Sequence, residues 1–455
     1  MPEKLIVFGF SGDLAGRYLL PALAELEDRD KLPQDLPIIG TGREEWDDEA
    51  VRRYAGEQLK EHASDVPEAA RSRLLRRLRY RQVDVTEPAQ VRAATNGSGP
   101  FVAYLALPPS MFVPAIDALG PLAESVKTMV VEKPFGTDLE SARQLNATLH
   151  RHFSEEQILR VDHFLHLQTA QNVLGLRFAN GIFEPLWNAR HIAEVEVTWD
   201  EVLGLEGRAG YYDDAGALRD IVQNHLLQLF CLVAMEPPAS VEGDEIRDRK
   251  VEVLRAVREM SEDQVATRTV RGRYTAGSQE GRSVPAYVDE DGVDPKKGTE
   301  TFAQVTLAVD TRRWAGVPFT LRTGKALAAD RHEIVIRFRE GSSLAFGEGK
   351  RPRPNTLRLS IQPDSVELEL MVTGSTAPFE LEAGKLQLAL GEQDISAYGR
   401  LILDAIEGDT GLSIGAAEAE EAWRVFEPVL RAWQRGVPPL LNYAAGTAGP
   451  PLDAQ

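Results

Sequence analysis

Short unbroken apolar runs alternate with longer amphipathic stretches through the first third of the chain. Leu5-Ile6-Val7-Phe8 reads as a buried strand, followed by a glycine-containing turn and an apolar-periodic helix over residues 14–26. Pro37-Ile38-Ile39-Gly40-Thr41-Gly42 predicts a second strand ending in a turn, residues 47–78 a charged helical stretch, and residues 80–85 a third strand. Phe101-Val102-Ala103-Tyr104-Leu105-Ala106-Leu107, stopped by Pro108-Pro109, is a fourth, and Thr128-Met129-Val130-Val131 a fifth. Strands separated by helical patterns predict right-handed βαβ units and a doubly wound parallel sheet with helices on both faces.

Past about residue 165 the pattern shifts to period two, as in His191-Ile192-Ala193-Glu194-Val195-Glu196-Val197-Thr198-Trp199, Glu333-Ile334-Val335-Ile336-Arg337-Phe338 and Val366-Glu367-Leu368-Glu369-Leu370. Such alternation gives one buried and one exposed face, so the second part is built on a largely antiparallel sheet. Helical patterns cover residues 218–235 and 418–433; residues 278–298 read as a surface excursion, and the tail from Ala444 as frayed. The expected fold is α/β plus α+β, with a doubly wound domain over 1–165 and a larger domain over 166–455.

The chain has 455 residues, enough for two or three domains. Its 51 basic and 70 acidic residues give a net charge of −19, opposite in sign to the footprint of a nucleic-acid or anionic-membrane binder. The single cysteine, Cys231, excludes an internal disulfide framework and a multi-cysteine metal cluster. Met1-Pro2-Glu3-Lys4 runs straight into the first strand without a signal-peptide pattern. No apolar run approaches the ~20 residues of a membrane span. The expectation is a cytoplasmic protein acting on a small molecule, with neither nucleic acid nor membrane as partner.

The first strand feeds Gly9-Phe10-Ser11-Gly12-Asp13-Leu14-Ala15, a Gly-x-x-Gly-x-x-Ala turn that opens a helix. Gly9 permits the tight turn, Gly12 lets backbone amides approach a pyrophosphate, and Ala15 lets helix and strand pack closely. Ser11, Asp13 and Leu14 complete the candidate coenzyme turn of a Rossmann-like domain. The end of the second strand, Thr41-Gly42-Arg43, puts a guanidinium where the adenosine ribose is read. An arginine can fork onto a 2′-phosphate, which favours NADP. Glu44 and Glu45 follow at once and oppose that preference, so NAD stays an alternative coenzyme.

Further motifs join this turn: Tyr104-Leu105-Ala106-Leu107-Pro108-Pro109, Val131-Glu132-Lys133-Pro134-Phe135-Gly136, Arg160-Val161-Asp162-His163-Phe164-Leu165 and Leu176-Arg177-Phe178-Ala179-Asn180. The run from Gly207-Arg208-Ala209-Gly210-Tyr211-Tyr212 through Arg219-Asp220-Ile221-Val222-Gln223-Asn224-His225 continues the series, as do Gly316-Val317-Pro318-Phe319 and Leu321-Arg322-Thr323-Gly324-Lys325. In this collinear order the chain resembles the glucose-6-phosphate dehydrogenase family from near residue 5 to about Pro428. The resemblance implies a coenzyme domain, a larger substrate-binding and dimerisation domain, and a homodimer or homotetramer joined through the second sheet. It also implies NADP-linked oxidation of a sugar C1 hydroxyl to a lactone, in a pentose-phosphate type of carbohydrate metabolism.

Removing hydride from a hemiacetal carbon requires loss of the hydroxyl proton, and a neutral imidazole with a carboxylate partner is suited to take it. His225 and Asp162 match the family's base and its paired acid. Without the family, His225 on an otherwise apolar Leu/Val stretch reads more often as a hydrogen-bonded core histidine. Lys133 resembles the lysine between coenzyme and sugar. Glu201 and Asp220 match acceptors of sugar hydroxyls, and Lys325 a cationic substrate contact. His163 matches a phosphate ligand, and Asp84 lies in a segment on the adenosine side. No metal is needed for this route.

Four positions depart from the family pattern. Gly16 stands where the family has a lysine at the active-site edge; Phe164, His166 and Leu167 stand where it has tyrosine, glycine and lysine. A phosphate pocket thereby loses a hydroxyl and a cation, and charge-assisted hydrogen bonds are each worth ~1.5–3 kcal/mol. His166 and Arg160 are the candidates to replace the charge. Three readings stay open on this evidence: a glucose-6-phosphate dehydrogenase with a rearranged phosphate pocket, a dehydrogenase of an unphosphorylated or C6-modified hexose, and a weakly active paralogue that assembles with or regulates a true dehydrogenase.

Overall fold

The computed structural model describes residues 1–451 except 96–98, 206, 208, 242–243, 280, 342–351, 362, 375–379 and 392. Arg208 of the motif above and the last four residues of the tail lie outside the described residues. The chain divides into two units: Met1–Leu167 with Pro238–Asp248 and Gln393–Glu420, and Gln168–Pro237 with Arg249–Glu392 and Glu421–Gln455. A linear division at 165/166 gives Pro238–Asp248 and Gln393–Glu420 to the second domain, whereas their packing places them in the first unit.

In the first unit, β1 (Lys4–Phe8), β2 (Ile38–Gly42), β3 (Leu78–Gln82), β4 (Phe101–Leu105), β5 (Val126–Glu132) and β6 (Ile158–Val161) form one sheet in the order β3-β2-β1-β4-β5-β6. Every pairing is parallel. β1 and β4 are buried along their whole length, which is why they read as continuous apolar runs. The edge strand β3 carries exposed Arg81 and Gln82; it starts two residues earlier and ends three residues earlier than the pattern predicts. The charged stretch is two helices, Asp48–His62 and Glu68–Arg77, the first capped by the Asp47 carboxylate accepting from the Ala50 amide and the second starting after Pro67. The order of strands reverses between β1 and β4, the switch point at which doubly wound sheets bind ligands beyond the strand ends.

The returning helix Ala397–Glu407 gives Leu401, Ile402, Leu403, Ala405 and Ile406 to the same core as Leu5, Val7 and Leu23. Its C-terminal carbonyls at Ile406 and Glu407 accept from Lys127 Nζ at 2.6 and 3.0 Å, a cation placed where the helix end is negative.

The second unit carries β7 (Ile192–Asp200), β8 (Thr269–Thr275), a small hairpin of β9 (Gly277–Gln279) and β10 (Arg282–Val284), β11 (Phe302–Ala308), β12 (Pro318–Gly324), β13 (Arg331–Phe338), β14 (Thr356–Ser360), β15 (Ser365–Thr373), β16 (Leu381–Ala389) and β17 (Leu441–Ala444). Nine of them form a sheet in the order β16-β15-β14-β13-β7-β12-β11-β8-β17. The sheet is mixed: β7 pairs in parallel with β12, and β17 with β8, while the other described pairs are antiparallel. The fully buried helix Leu227–Ala234 packs on β12, with Phe230 edge-on to Phe319 at 5.1 Å. The tail is not frayed where described. Beyond β17, Ala445 donates to Thr275 at 3.1 Å, Gly446 to Ala326 at 2.9 Å, and Thr447 accepts from Ala328 at 2.9 Å. Backbone pairing at a sheet edge holds these small residues without an apolar pattern.

Candidate active site

At the switch point β1 ends in Gly9, whose φ is +88°. A Cβ there would lie 2.2 Å from the Ala106 carbonyl oxygen beyond β4, so the turn closes only with glycine. Gly9 and Phe10 donate to the Thr41 carbonyl at 3.0 and 2.9 Å, and Gly12 donates back to Gly9 at 3.0 Å. The helix that follows starts as a wide π turn, Ala15–Leu19, and continues as Leu20–Asp28. Leu14 is already helical and the Gly16 amide donates to the Gly12 carbonyl at 3.1 Å, so the helix begins directly at the glycine turn. A glycine turn at the switch point that runs straight into a helix N-terminus fits the pyrophosphate of a dinucleotide. Asp13 is exposed and lies 3.7 Å from Arg17.

The ribose end differs from its sequence reading in one respect. Ser11 Oγ donates to Glu44 Oε1 at 2.7 Å and the Tyr80 hydroxyl to Oε2 at 3.1 Å. Burial raises the Glu44 pKa, but the bonds from Ser11, its own amide and Tyr80, with the nearby Arg43 charge, outweigh it and hold the carboxyl below its ordinary value. Arg43 is exposed, and its carbonyl accepts from Gln82 Nε2 at 3.0 Å. Asp84 accepts from the Thr86 amide and hydroxyl, a local turn that lowers its pKa. Gly16 faces the helix Asp48–His62: a Cβ there would meet Gln58 Oε1 and, at 3.1 Å, the Tyr54 hydroxyl. A side chain at 16 therefore points into the packing between two helices, which corrects the placement of that position at the active-site edge.

At the end of β5, Glu132 is buried and accepts from the Tyr104 hydroxyl at 2.5 Å. Burial pushes its pKa up to about 7, against the Tyr104 bond and the Lys133 charge and with the Asp162 charge. Asp162 follows β6, is 1% exposed, and its Oδ1 caps the turn His163–His166 by accepting from the Phe164 amide at 3.0 Å. His163 stacks on Tyr398 at 5.2 Å, and Tyr398 on Tyr18 at 5.3 Å. Neither candidate for replacing the missing charge points outward. Arg160 is buried and donates to Glu155 at 2.8 Å, and His166 Nε2 lies 3.0 Å from Asp404 Oδ2.

In the second unit, His225 is 2% exposed on a π-helical segment, Leu218–Leu226. Within it Asn224 Nδ2 donates to the Arg219 carbonyl, and its Oδ1 accepts from the His225 amide. Such wide turns recur at functional sites. Lys325, 7% exposed, donates to Glu201 Oε2 at 2.6 Å and lies 5.3 Å from the centre of the Tyr212 ring. Tyr212 is buried, and its pKa is raised by that burial and then by Asp220, Glu300, Tyr443 and Glu201. Lys325, Glu201, Asp220 and Tyr212 thus share one electrostatic neighbourhood.

The structure brings Lys133 and Asp162 to the surroundings of Glu132 in the first unit, and Glu201, Asp220 and Lys325 together in the second. Asp84 is taken up by its own turn. Glu132 and Tyr212 lie beside the predicted residues without a role assigned from the sequence, and Glu44 stood there only as a charge opposing NADP. Glu132 and Tyr212 lie inside family motifs, so position was the available signal; the direction of the Glu44 side chain, back toward Ser11 and Tyr80, left no trace in the sequence. Among the described residues no helix is long and apolar enough to cross a membrane.

Residues 6–172 match the family model described as glucose-6-phosphate dehydrogenase, NAD binding domain, and residues 174–454 the model of its C-terminal domain. A glucose-6-phosphate 1-dehydrogenase of Treponema pallidum is 40% identical over 99% of this chain and 92% of its own. Among solved structures, the glucose-6-phosphate 1-dehydrogenase of Mycobacterium avium has a TM-score of 0.86 at 35% identity, over 99% of this chain and 96% of the other. A glucose-6-phosphate dehydrogenase in complex with its substrate glucose-6-phosphate has a TM-score of 0.89 at 32% identity, over 100% of this chain and 96% of the other.

Proposed function

The chain belongs to the glucose-6-phosphate dehydrogenase family, and on that premise we propose that it oxidises the C1 hydroxyl of glucose 6-phosphate to the 1,5-lactone, with NADP as coenzyme and NAD as an alternative. One observation carries this reading: likeness to relatives bearing that activity runs through both family domains, from the coenzyme turn to the end of the second sheet. A dephosphorylated substrate and a regulatory paralogue have no such support and are not favoured.

His225 is the general base: a neutral imidazole, ordinarily of pKa ~6.5, takes the C1 hydroxyl proton. Asp162 carries the role of its partner carboxylate, which stabilises the imidazolium formed. When bound, the nicotinamide dinucleotide supplies the hydride acceptor. Gly9, Ser11, Gly12, Asp13 and Leu14 hold its pyrophosphate end, Arg43 meets a 2′-phosphate, Asp84 lies on the adenosine side, and Lys133 serves between coenzyme and sugar. Glu201 and Asp220 accept from sugar hydroxyls, Lys325, which donates to Glu201 at 2.6 Å, is a cationic substrate contact, and His163 takes the phosphate. The enzyme is cytoplasmic and a homodimer or homotetramer; exposed Leu386, Leu388 and Val372 on β16 and β15 support self-association through the second sheet.

Initial rates of nicotinamide reduction on glucose 6-phosphate, glucose and C6-modified hexoses test the reading. The expected result is the highest kcat/KM on glucose 6-phosphate. Equal or better turnover of glucose refutes it.

A further inference from the structure

We propose that Glu44 is the residue that reads the adenosine ribose in this chain, biasing it toward NAD against the pull of Arg43 toward NADP. The proposal rests on the coenzyme reading above and deepens it.

In doubly wound coenzyme domains a carboxylate near the end of the second strand accepts from the ribose 2′-hydroxyl, whereas an arginine accommodates a 2′-phosphate. This chain offers both groups in succession, and the geometry ranks them. The Glu44 carboxylate folds back over the end of β2, close enough that a Cβ on Gly42 would collide with Oε2. It spans from Ser11 on the coenzyme turn to Tyr80 on β3. Tyr80 is itself fixed, its amide donating to Asp48 Oδ1 at 2.8 Å and its ring lying 5.3 Å from that of Trp46. Glu44 is therefore held beside the turn, whereas the Arg43 side chain stands in solvent.

Two consequences follow for a coenzyme seated on this turn. An ionised carboxylate offers about four acceptor positions; with three taken by Ser11, Tyr80 and the Glu44 amide, one remains for a ribose hydroxyl. A 2′-phosphate, by contrast, brings like charge against Glu44. The Ser11 hydroxyl has one proton, already given to Glu44, so it has none for the phosphate unless Glu44 is displaced. NAD fits the arrangement as it stands. NADP requires the carboxylate to swing out and Arg43 to swing in.

The test measures binding of NAD and of NADP separately, by calorimetry on the full-length protein, for the unmodified chain and for Glu44→Gln, Tyr80→Phe and Arg43→Ala. The unmodified chain is expected to bind NAD within about tenfold of NADP or tighter. Glu44→Gln should shift the NADP:NAD affinity ratio toward NADP by about tenfold or more. Tyr80→Phe, which frees the carboxylate without removing it, should shift it the same way by less, and Arg43→Ala should shift it toward NAD. An unmoved ratio in Glu44→Gln overturns the role of Glu44 while leaving the dehydrogenase reading intact. Failure of the unmodified chain to bind either coenzyme overturns both. If Glu44→Gln does not fold, the Tyr80→Phe ratio decides in the same way.

Discussion

His166 Nε2 lies 3.0 Å from Asp404 Oδ2, and both side chains are almost fully buried. The pair ties the turn His163–His166 to the helix Ala397–Glu407, and the His166 carbonyl accepts from Gln393 Nε2 at 3.0 Å. Asp404 is also met by Arg400 Nε at 2.9 Å. The histidine that replaces the family's glycine thus fastens a returning segment of chain to the coenzyme unit.

His166→Ala should accordingly destabilise the protein, leaving a buried carboxylate with one partner fewer, by on the order of 1–3 kcal/mol. Denaturant unfolding followed by fluorescence measures this, and the KM for glucose 6-phosphate should stay close to its unmodified value. A large rise in KM with unchanged stability would put His166 on the substrate instead.

For His225→Asn the expectation is the reverse: stability and coenzyme affinity retained, kcat lowered by about 10²–10⁴-fold, the usual scale for loss of a general base. Stopped-flow single-turnover rates separate this from slow product release. Near-normal turnover removes His225 from the chemistry and returns it to the reading of a core histidine.

Glu132 gives a pH prediction with a definite sign. Its pKa in the folded protein is about 7 against an ordinary 4.5, so the folded state favours the neutral acid. That contribution is complete below pH 4.5 and is lost as pH rises through about 7, because the folded state then binds the proton that the unfolded chain has released. Glu132→Gln, which never ionises, should match the unmodified protein near pH 4.5 and exceed it by on the order of 3 kcal/mol near pH 8. Unfolding midpoints that run parallel across that range would show that Glu132 titrates normally.

The parallel sheet was legible because β1, β4 and β5 are buried on both faces and read as unbroken apolar runs. β6 escaped as a strand because Arg160 sits in its middle, fully buried and paired with Glu155. A local pattern cannot show that a charge is neutralised by a neighbouring loop. β17 was hidden for another reason, being four residues that gain their hydrogen bonds only by lying alongside β8. At the site, Lys325 and Glu201 were carried over from the family resemblance, and their 2.6 Å contact crosses more than a hundred residues of sequence. Tyr398, stacked on His163, is supplied by the segment that returns from far along the chain. Pairings of this kind depend on the tertiary fold and leave no trace in spacing.

The altered phosphate motif supplies the last expectation. Phe164 is buried and Leu167 half-buried, neither able to bond a phosphate oxygen. Arg160 and His166 are committed to Glu155 and Asp404, so neither supplies the missing cation. A leucine beside a dianion removes water from it without replacing the lost hydrogen bonds, which costs binding. The double change Phe164→Tyr with Leu167→Lys should therefore lower the KM for glucose 6-phosphate by about tenfold or more, since one charge-assisted bond is worth at least that factor. Because the phosphate is remote from C1, its bonds hold ground and transition states alike, and kcat should move little. Steady-state kinetics on glucose 6-phosphate, with unphosphorylated glucose as the control, read the two parameters apart: glucose should gain nothing from the change. An unmodified protein that already saturates at micromolar glucose 6-phosphate, with no gain from the double variant, would show that His163 and other groups present, Lys325 first among them, hold the phosphate without the missing pair.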